Sequence, residues 1–190
     1  RRVLFRSDDG VHAPGIHALA KELSKLGEVT IVAPREEKST TGHSLTIHKP
    51  LRLIPIRPRV FGVNGSPADC VYLGVREVLK STPDLVISGI NRGANMGQDV
   101  YYSGTVSAAR EACILGIPSM AVSLDVDFMR PAEESKLHYG TAAKVAAKVI
   151  RQFVKKNGGF KTPLHTLYNL NVPDLPDRKS TRLNSSHITI

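Results

Sequence analysis

The sequence is poor in cysteine: its 190 residues include only Cys70 and Cys113, and neither occurs in a CxxC or Cys/His spacing. We therefore expect neither a disulfide framework nor a zinc site, and a reducing compartment suits this composition. The sequence also lacks an apolar run long enough to cross a bilayer, and its N-terminus lacks the apolar core of a signal peptide. These absences predict a soluble, cytoplasmic protein that does not contact membranes.

Acidic residues are absent from the two ends of the chain. The net charge is +9, but six of the excess positive charges lie in residues 1–6 and 178–190, so the rest of the chain carries only +3. Basic charge suggests a non-enzymatic nucleic-acid-binding or nucleotide-binding α/β domain, which we keep as the alternative function. The position of the charge and the lack of an aromatic-basic motif argue against nucleic acid as a partner.

Short apolar segments alternate with amphipathic ones along the chain. Residues 3–5 and 28–34 predict strands, and the apolar spacing between Pro14 and Gly27 predicts a helix. The later elements continue this alternation: a helix at 66–80, strands at 83–90 and 117–124, helices at about 105–115 and 132–156, and an apolar stretch at 164–172. This order predicts an α/β fold with a mostly parallel sheet covered by helices on both faces.

Polar side chains follow several of the predicted strands. Asp8 and Asp9 come after the first strand, Ser39 lies in the loop after the second, and the stretch NRGANMG at 91–97 follows a later buried strand. Ligands of parallel sheets bind beyond the carboxyl ends of the strands, so these loops are expected to converge. Carboxylate, hydroxyl and amide oxygens are hard ligands that favour Mg²⁺ or Mn²⁺ over zinc. A turn at Gly10 would let both aspartates face one ion.

Two stretches have the composition of an anion site. The loop at 91–97 combines glycines, which permit close backbone approach, with asparagine amides that donate hydrogen bonds. The sequence SGT at 103–105 lies where a helix is predicted to begin, and a helix N-terminus favours a bound anion. A cation site beside an anion site indicates phosphoryl transfer to water.

Each motif also has a simpler interpretation. Asp-Asp-Gly after a strand and an Asn/Gly-rich loop are both common turns. Thr105 could serve only as a helix N-cap, and Tyr101 and Tyr102 could pack in the core, form a lid or stack on a nucleobase. Among the histidines of the first 48 residues, His43 is the one that we keep as a candidate, because it shares a loop with Ser39.

Two rival enzyme classes fit the sequence less well. A dinucleotide-binding oxidoreductase requires GxGxxG after the first strand, and the sequence DDGVHAPG does not supply it. A phosphatase with an aspartyl nucleophile could use the DVD sequence at 125–127, but that pair of aspartates lacks companion residues. Both classes therefore rank below metal-dependent hydrolysis.

Four motifs, DDGVHAPGI, VAPREEKSTTGHSLT, GSPADCV and LVISGINRGANMGQDVYYSGTVSAAREA, together resemble the SurE family of metal-dependent nucleotidases, in register over about residues 3–172. The resemblance implies a Rossmann-like three-layer α/β sandwich. It also implies removal of phosphate from nucleoside 5′- and 3′-monophosphates, with some activity on short polyphosphate. By the same resemblance, the full-length protein would be a cytoplasmic homodimer or homotetramer.

The resemblance further implies a role for each matched residue. The divalent cation, Mg²⁺ or Mn²⁺, would be held by Asp8, Asp9, Ser39 and Asn91. The phosphate would be bound by Asn95, Ser103, Gly104 and Thr105. Asp8 and Asp9 are also the predicted catalytic residues, because a carboxylate at a metal site can accept a proton from the attacking water.

The sequence departs from the family pattern at both ends. Ser7 stands where the family has asparagine before the paired aspartates. The C-terminal region, which in the family forms part of the subunit interface, is expected to be missing after residue 177. We therefore predict a single, C-terminally truncated domain over residues 1–177, and we interpret the first residues and the tail at 178–190 as non-native.

Overall fold

The computed structural model of the chain describes residues 2–6, 10–36, 42–129, 133–163, 165–177 and 188–189. Within these residues the strands are β1 (Arg2–Arg6), β2 (Glu28–Pro34), β3 (Leu53–Arg57), β4 (Val60–Val63), β5 (Leu85–Arg92), β6 (Ser119–Asp125), β7 (Tyr168–Pro173) and β8 (Ile188–Thr189). They form one sheet in the order β3-β4-β2-β1-β5-β6-β7-β8.

The sheet is parallel except at its two edges. β1 pairs in parallel with both β2 and β5, and β4, β6 and β7 extend the sheet in the same direction. At the edges, β3 runs antiparallel to β4 and β8 runs antiparallel to β7. The predicted α/β class with a mostly parallel sheet is therefore confirmed.

The described helices are α1 (Pro14–Leu23), α2 (Pro67–Leu73), α3 (Asp99–Tyr102), α4 (Gly104–Ile114) and α5 (Tyr139–Asn157). Local chemistry explains several of their ends. Pro14 occupies the first position of α1, where its missing N–H is not needed. Ser66 and Asp69 cap α2 reciprocally: Asp69 N donates to Ser66 Oγ at 3.2 Å, and Ser66 N donates to Asp69 Oδ2 at 2.7 Å. At its other end, α2 continues into a π-helical segment, Gly74–Leu79.

Two helical layers cover the sheet, one on each face. Successive residues of a strand face opposite sides, and in β2 the side chains of Ile31 and Ala33 pack in the cluster that contains α1 and α5. Val32, between them, packs instead in the cluster that contains α2 and α4. A strand buried on both faces is apolar at consecutive positions, which explains the continuous apolar runs of the sequence. The result is the Rossmann-like three-layer sandwich that the family resemblance implies.

Some predicted boundaries were wrong. The long helix predicted from residue 132 begins at Tyr139, because the backbone N and the Nδ1 of His138 both lie 2.8 Å from Asp174 Oδ1 and fix the chain just before the helix. Residues 134–136 form only a 3₁₀ turn. The apolar stretch predicted from 164 becomes a strand only at Tyr168, since His165 has a φ of 58°, which an extended strand cannot contain.

Of the residues after 177, the structure describes Ile188 and Thr189, which form a short strand. β8 consists of Ile188 and Thr189 and pairs with Leu170 and Asn169 of β7. It lies in the segment interpreted above as a non-native tail, and that interpretation stays a prediction. Among the residues that the structure describes, no helix is both long and apolar enough to span a membrane.

Candidate active site

Three adjacent parallel strands deliver their following loops to one edge of the sheet. β1 lies between β2 and β5 and runs parallel to both, so the chain leaves all three strands at the same carboxyl edge. Asp8 and Asp9 follow β1, and Ser39 lies in the loop after β2, but these residues, like Ser7, fall outside the described residues. Their predicted roles therefore rest on the sequence and on the topology that brings their strands together.

The described chain next to the two aspartates is tightly tied to the neighbouring strands. Gly10 has a φ of 91°, in the left-handed region that glycine tolerates, and it turns the chain away from β1. Val11 N then donates to Pro34 O, at the end of β2, at 2.9 Å. Four residues later the backbone of Gly15 packs directly on Ile90 of β5, because a Cβ at Gly15 would overlap the Ile90 carbonyl oxygen. The ends of β1, β2 and β5 are therefore held in a fixed relation.

Asn91 stands near the end of β5, and the following loop orients its side chain. Its Nδ2 donates to the carbonyl oxygens of Gly93, at 2.8 Å, and Arg92, at 3.3 Å. The two hydrogen bonds use both hydrogens of Nδ2. The remaining polar atom of the side chain, Oδ1, is therefore the one that can contact a ligand. A neutral oxygen donor suits a hard divalent cation. The donor chemistry of Asn91 thus fits the predicted ligand role.

The loop after Asn91 is folded back on β6. Gly93 has a φ of 106°, and its N donates to Leu124 O at 2.9 Å. The exposed ring of Phe128 packs on Gly93, where a Cβ would come within 2.9 Å of the ring. The backbone conformation therefore favours glycine at this position, whereas the exposed Phe128 ring could move to make space for a Cβ.

Asn95 is buried and fastens the same loop to the neighbouring strands. Its backbone N donates to Asn171 Oδ1 at 2.8 Å, and its Nδ2 donates to Ser123 Oγ at 2.7 Å. Its carbonyl oxygen accepts from Asn169 Nδ2 at 2.8 Å. The phosphate role predicted for Asn95 stays a prediction, and the hydrogen bonds show that the residue also anchors the loop.

Asn169 and Asn171 were missed by the sequence analysis. They occupy alternate positions of β7 within the sequence YNLNVP, and both are buried. Two asparagines at a spacing of two in an apolar strand place their side chains on one face of the sheet. Buried amides require partners, so this pattern was the signal that could have revealed the network.

Ser103, Gly104 and Thr105 lie at the start of α4. Ser103 Oγ accepts from Val106 N at 3.1 Å, so Ser103 is the N-cap, and the alternative that Thr105 is the N-cap is wrong. Gly104 and Thr105 form the first turn, and Thr105 is completely buried. Because α4 connects the carboxyl end of β5 to the start of β6, its N-terminus lies at the same edge as Asn91. A helix N-terminus carries partial positive charge, which favours an anion there.

Other candidates from the sequence have clear positions. Tyr101 and Tyr102 of α3 are 70% and 68% exposed, so the core interpretation of these residues is wrong. Asp127 Oδ1 accepts from Met129 N at 2.9 Å, which makes it part of a local turn after β6. Within the described ranges, no group of three or more His, Cys, Asp or Glu side chains is placed to hold a metal ion.

His43, the histidine kept as a candidate, contacts a residue that the sequence analysis did not single out. Its Nε2 lies 2.8 Å from Oε2 of Glu111, which is in α4 and is buried. The two residues are 68 positions apart, so no local pattern connects them.

The fold and the arrangement of side chains define a Rossmann-like α/β domain with an oxygen-donor side chain and a capped helix N-terminus at the carboxyl edge of its sheet. The chain belongs to the SurE family: the family model described as survival protein SurE matches residues 3–189.

Similar proteins agree with this membership. The chain is 49% identical over 178 residues to a protein of Geobacter metallireducens named 5′-nucleotidase SurE, covering 94% of this chain and 67% of that protein. It is 46% identical over 192 aligned positions to the Vibrio campbellii protein of the same name, covering 98% of this chain and 69% of that one. The crystal structure of the SurE protein from Aquifex aeolicus superposes with a TM-score of 0.84 at 40% identity, covering 94% of this chain and 68% of that one. The chain thus spans about two thirds of the length of these relatives.

Proposed function

We propose that this chain is the catalytic part of a 5′-nucleotidase, a hydrolase of phosphoric monoesters that depends on a divalent cation. Its substrates are nucleoside 5′- and 3′-monophosphates and, to a lesser extent, short polyphosphate. The observation that carries the proposal is the orientation of Asn91, whose Nδ2 is held at 2.8 Å by Gly93 O so that Oδ1 is the atom offered at the sheet edge. The names of the relatives in Geobacter metallireducens and Vibrio campbellii support the same activity.

The residues proposed to hold Mg²⁺ or Mn²⁺ are Asp8, Asp9, Ser39 and Asn91. They combine carboxylate, hydroxyl and amide oxygens, the donor set of a hard cation. When bound, such a cation polarises a phosphoryl oxygen and lowers the pKa of water in the site. Either Asp8 or Asp9 accepts the proton of the attacking water, since both carboxylates follow β1 at this edge.

The phosphate is proposed to bind between the loop after β5 and the start of α4, at Asn95, Ser103, Gly104 and Thr105. The N-terminal turn of α4 offers N–H donors and the positive end of a helix dipole, and Asn95 Nδ2, which gives one hydrogen to Ser123 Oγ, has a second N–H for the phosphate. Donors fixed by the fold stabilise the negative charge of the transferring phosphoryl group without further reorganisation. The network that anchors Asn95 to Asn171 and Ser123 supplies this rigidity.

The full-length protein is proposed to act in the cytoplasm as a homodimer or homotetramer. This part of the proposal is supported by the family resemblance alone. Size-exclusion chromatography with light scattering on the full-length protein tests it, and a monomeric, active enzyme would contradict it.

Phosphate release tests the proposed activity. We would incubate the protein with a panel of nucleoside 5′- and 3′-monophosphates in EDTA, in Mg²⁺ and in Mn²⁺, and compare it with the variant Asp9→Asn. We expect release only with a cation, and a loss of about 100-fold or more in kcat for Asp9→Asn, since the carboxylate serves in both cation binding and proton transfer.

A matched control is Asp127→Asn, which changes an aspartate after β6 whose carboxylate accepts a hydrogen bond within a local turn, from Met129 N at 2.9 Å. This variant is expected to keep the activity of the unmodified chain. Release in EDTA, or equal rates for Asp9→Asn and the unmodified chain, would refute the proposal. Salt-sensitive binding of nucleic acid without any release would favour the alternative function instead.

A further inference from the structure

The loop after β6 carries two exposed apolar side chains that have no role in the chemistry proposed so far. Phe128 is 65% exposed and Met129 is 90% exposed. Because β6 pairs in parallel with β5, the chain leaves both strands at the same carboxyl edge of the sheet, where Asn91 stands. Large apolar side chains exposed at a ligand-binding edge indicate a contact surface for a ligand.

The ring of Phe128 meets the loop after β5 edge-on. A Cβ at Gly93 would lie 2.9 Å from Cζ and 3.0 Å from Cε2 of Phe128, and the next nearest atom, at 4.0 Å, is Nδ2 of Asn91. No other atom of the ring is as close to that position, whereas an approach to the face of the ring would bring further ring atoms to similar distances. The edge of the ring therefore rests beside Asn91, and the exposed ring presents a face to a ligand.

The chain on either side of Phe128 is anchored to the sheet. Val126, two residues before the ring, is 6% exposed and packs in the core. On the other side, Glu134 Oε2 lies 3.1 Å from Nη1 of Arg92, which directly follows Asn91 in the chain. The segment that carries Phe128 is therefore fastened at both ends, and an anchored segment loses less conformational freedom when it engages a ligand.

The loop that the ring touches is the one proposed to bind the phosphate. Gly93 precedes Asn95 by two residues, which span at most about 7 Å. In a nucleotide the ribose separates the base from the phosphate, so a surface that binds the base lies beside the phosphate site rather than within it. Phe128 has that position, and an exposed aromatic face suits a flat heteroaromatic base.

We propose that Phe128 stacks on the nucleobase and so makes the site selective for nucleotides over phosphate esters that lack a base. The proposal rests on the proposed function, in which Asn95 and the start of α4 bind the phosphate. Stacking on an aromatic side chain contributes about 5- to 150-fold in affinity per base and accepts every base, since each has a π face. Phe128 contacts the base and not the reacting phosphate, so the expected signature is a change in KM rather than in kcat.

The test compares adenosine 5′-monophosphate with ribose 5-phosphate, which carries the same phosphate ester but no base. In Mg²⁺, the unmodified chain should have the lower KM for adenosine 5′-monophosphate. Phe128→Ala should raise that KM by about 5- to 150-fold, and kcat should change by less than about threefold. The KM for ribose 5-phosphate should change by less than about twofold, because this substrate makes no stacking contact.

Further variants and a fluorescent probe separate stacking from a structural effect. Phe128→Tyr keeps the aromatic face and should keep the KM of the unmodified chain, whereas Phe128→Leu keeps apolar bulk without that face and should fall between Phe128→Tyr and Phe128→Ala. The control is Tyr72→Ala, which removes another exposed aromatic ring, at the end of α2, and should leave both KM values unchanged. The fluorescence of 2-aminopurine riboside 5′-monophosphate falls when its base stacks. On mixing with Mg²⁺, before phosphate is released, the unmodified chain should quench this fluorescence and Phe128→Ala should not.

The outcomes distinguish the inference from the function on which it rests. If the unmodified chain hydrolyses adenosine 5′-monophosphate and Phe128→Ala has the same KM for it, the stacking role is refuted and the proposed function stands. An equal rise of KM for both substrates also refutes stacking, since the loss then does not concern the base. If neither substrate releases phosphate but the probe is quenched by the unmodified chain and not by Phe128→Ala, the proposed function fails and the base contact stands. Without release and without quenching, both proposals fail.

Discussion

The close contact between Gly15 of α1 and Ile90 of β5 predicts that the variant Gly15→Ala is less stable. Gly15 is the second residue of α1, and its backbone packs on Ile90 near the end of β5. In the variant Gly15→Ala, the new Cβ would overlap the Ile90 carbonyl oxygen and lie 3.2 Å from both the carbonyl carbon and the Cβ of Ile90. Because these atoms belong to a central strand, α1 must move instead.

The expected cost follows from two opposing effects. Overpacking in a rigid core costs about 1–3 kcal/mol, whereas replacing glycine by alanine in a helix gains up to about 1 kcal/mol. Subtracting the gain from the cost gives a net loss of about 0–3 kcal/mol in the free energy of unfolding, and we expect a value near the middle of that range, about 1–2 kcal/mol. For a domain of this size, that loss lowers the melting temperature by about 2–8 °C.

Gly140→Ala is a matched control. Gly140 is also the second residue of its helix, α5, but it is exposed, and a Cβ there would meet nothing within 4 Å. Its melting temperature should stay the same or rise by up to about 4 °C. Thermal unfolding followed by circular dichroism measures both variants. If Gly15→Ala is as stable as Gly140→Ala, the contact between α1 and β5 does not have the rigidity that we assign to it.

Three further predictions concern other parts of the domain. Asp69→Ala removes a buried carboxylate that accepts from Ser66 N and Thr46 N, so the free energy of unfolding in urea should fall by about 3 kcal/mol; a change below about 1 kcal/mol would contradict this. Partial burial and, secondarily, Arg57 lower the pKa of His17 below its ordinary value of 6.5, so an NMR titration should give a midpoint below 6.5, and Arg57→Ala should raise it partway. Because the folded pKa is the lower one, the contribution of His17 to stability is lost as the pH falls from 6.5 through the lower folded pKa, and the opposite trend would refute the assignment. Burial raises the pKa of the Cys113 thiol and Cys70 is fully buried, so a thiol reagent should modify Cys113 slowly and Cys70 only after unfolding; equal rates would contradict the described burial.

The sequence predicted the parallel strands β1, β2, β5 and β6 because local patterns carry their signal, whereas β3, β4 and β8 were not identified as strands. The run EVTIVAP is apolar at consecutive positions, and the structure forms β2 over the same residues, Glu28–Pro34. The helix predicted at about 105–115 also forms, as α4 (Gly104–Ile114), although its N-cap is Ser103 and not Thr105, the N-cap that the sequence analysis considered. In both cases the residues that determine the element lie within it or next to it.

Contacts between distant residues were not predictable in this way. The start of α5 depends on the hydrogen bond from His138 to Asp174, which lies 36 residues away. The helical pattern of the sequence before residue 139 does not indicate this contact. Asn95 meets Asn171 across 76 residues, and His43 meets Glu111 across 68. Such pairs are fixed only when the strands and helices have packed together. Asp8, Asp9, Ser39 and Asn91 were singled out as oxygen donors that follow predicted strands, and the family resemblance assigned them to one cation; these roles stay predictions.

The central claim is that the loops after β1, β2 and β5 form one cation site, and locating a bound cation tests it most directly. We would grow crystals of the active protein with Mn²⁺ and measure anomalous diffraction at the manganese edge. We expect a peak at the carboxyl edge of the sheet, in coordination contact with Oδ1 of Asn91 and with the carboxylates of Asp8 and Asp9. A peak elsewhere, or none at this edge in protein that hydrolyses nucleotides, would contradict it.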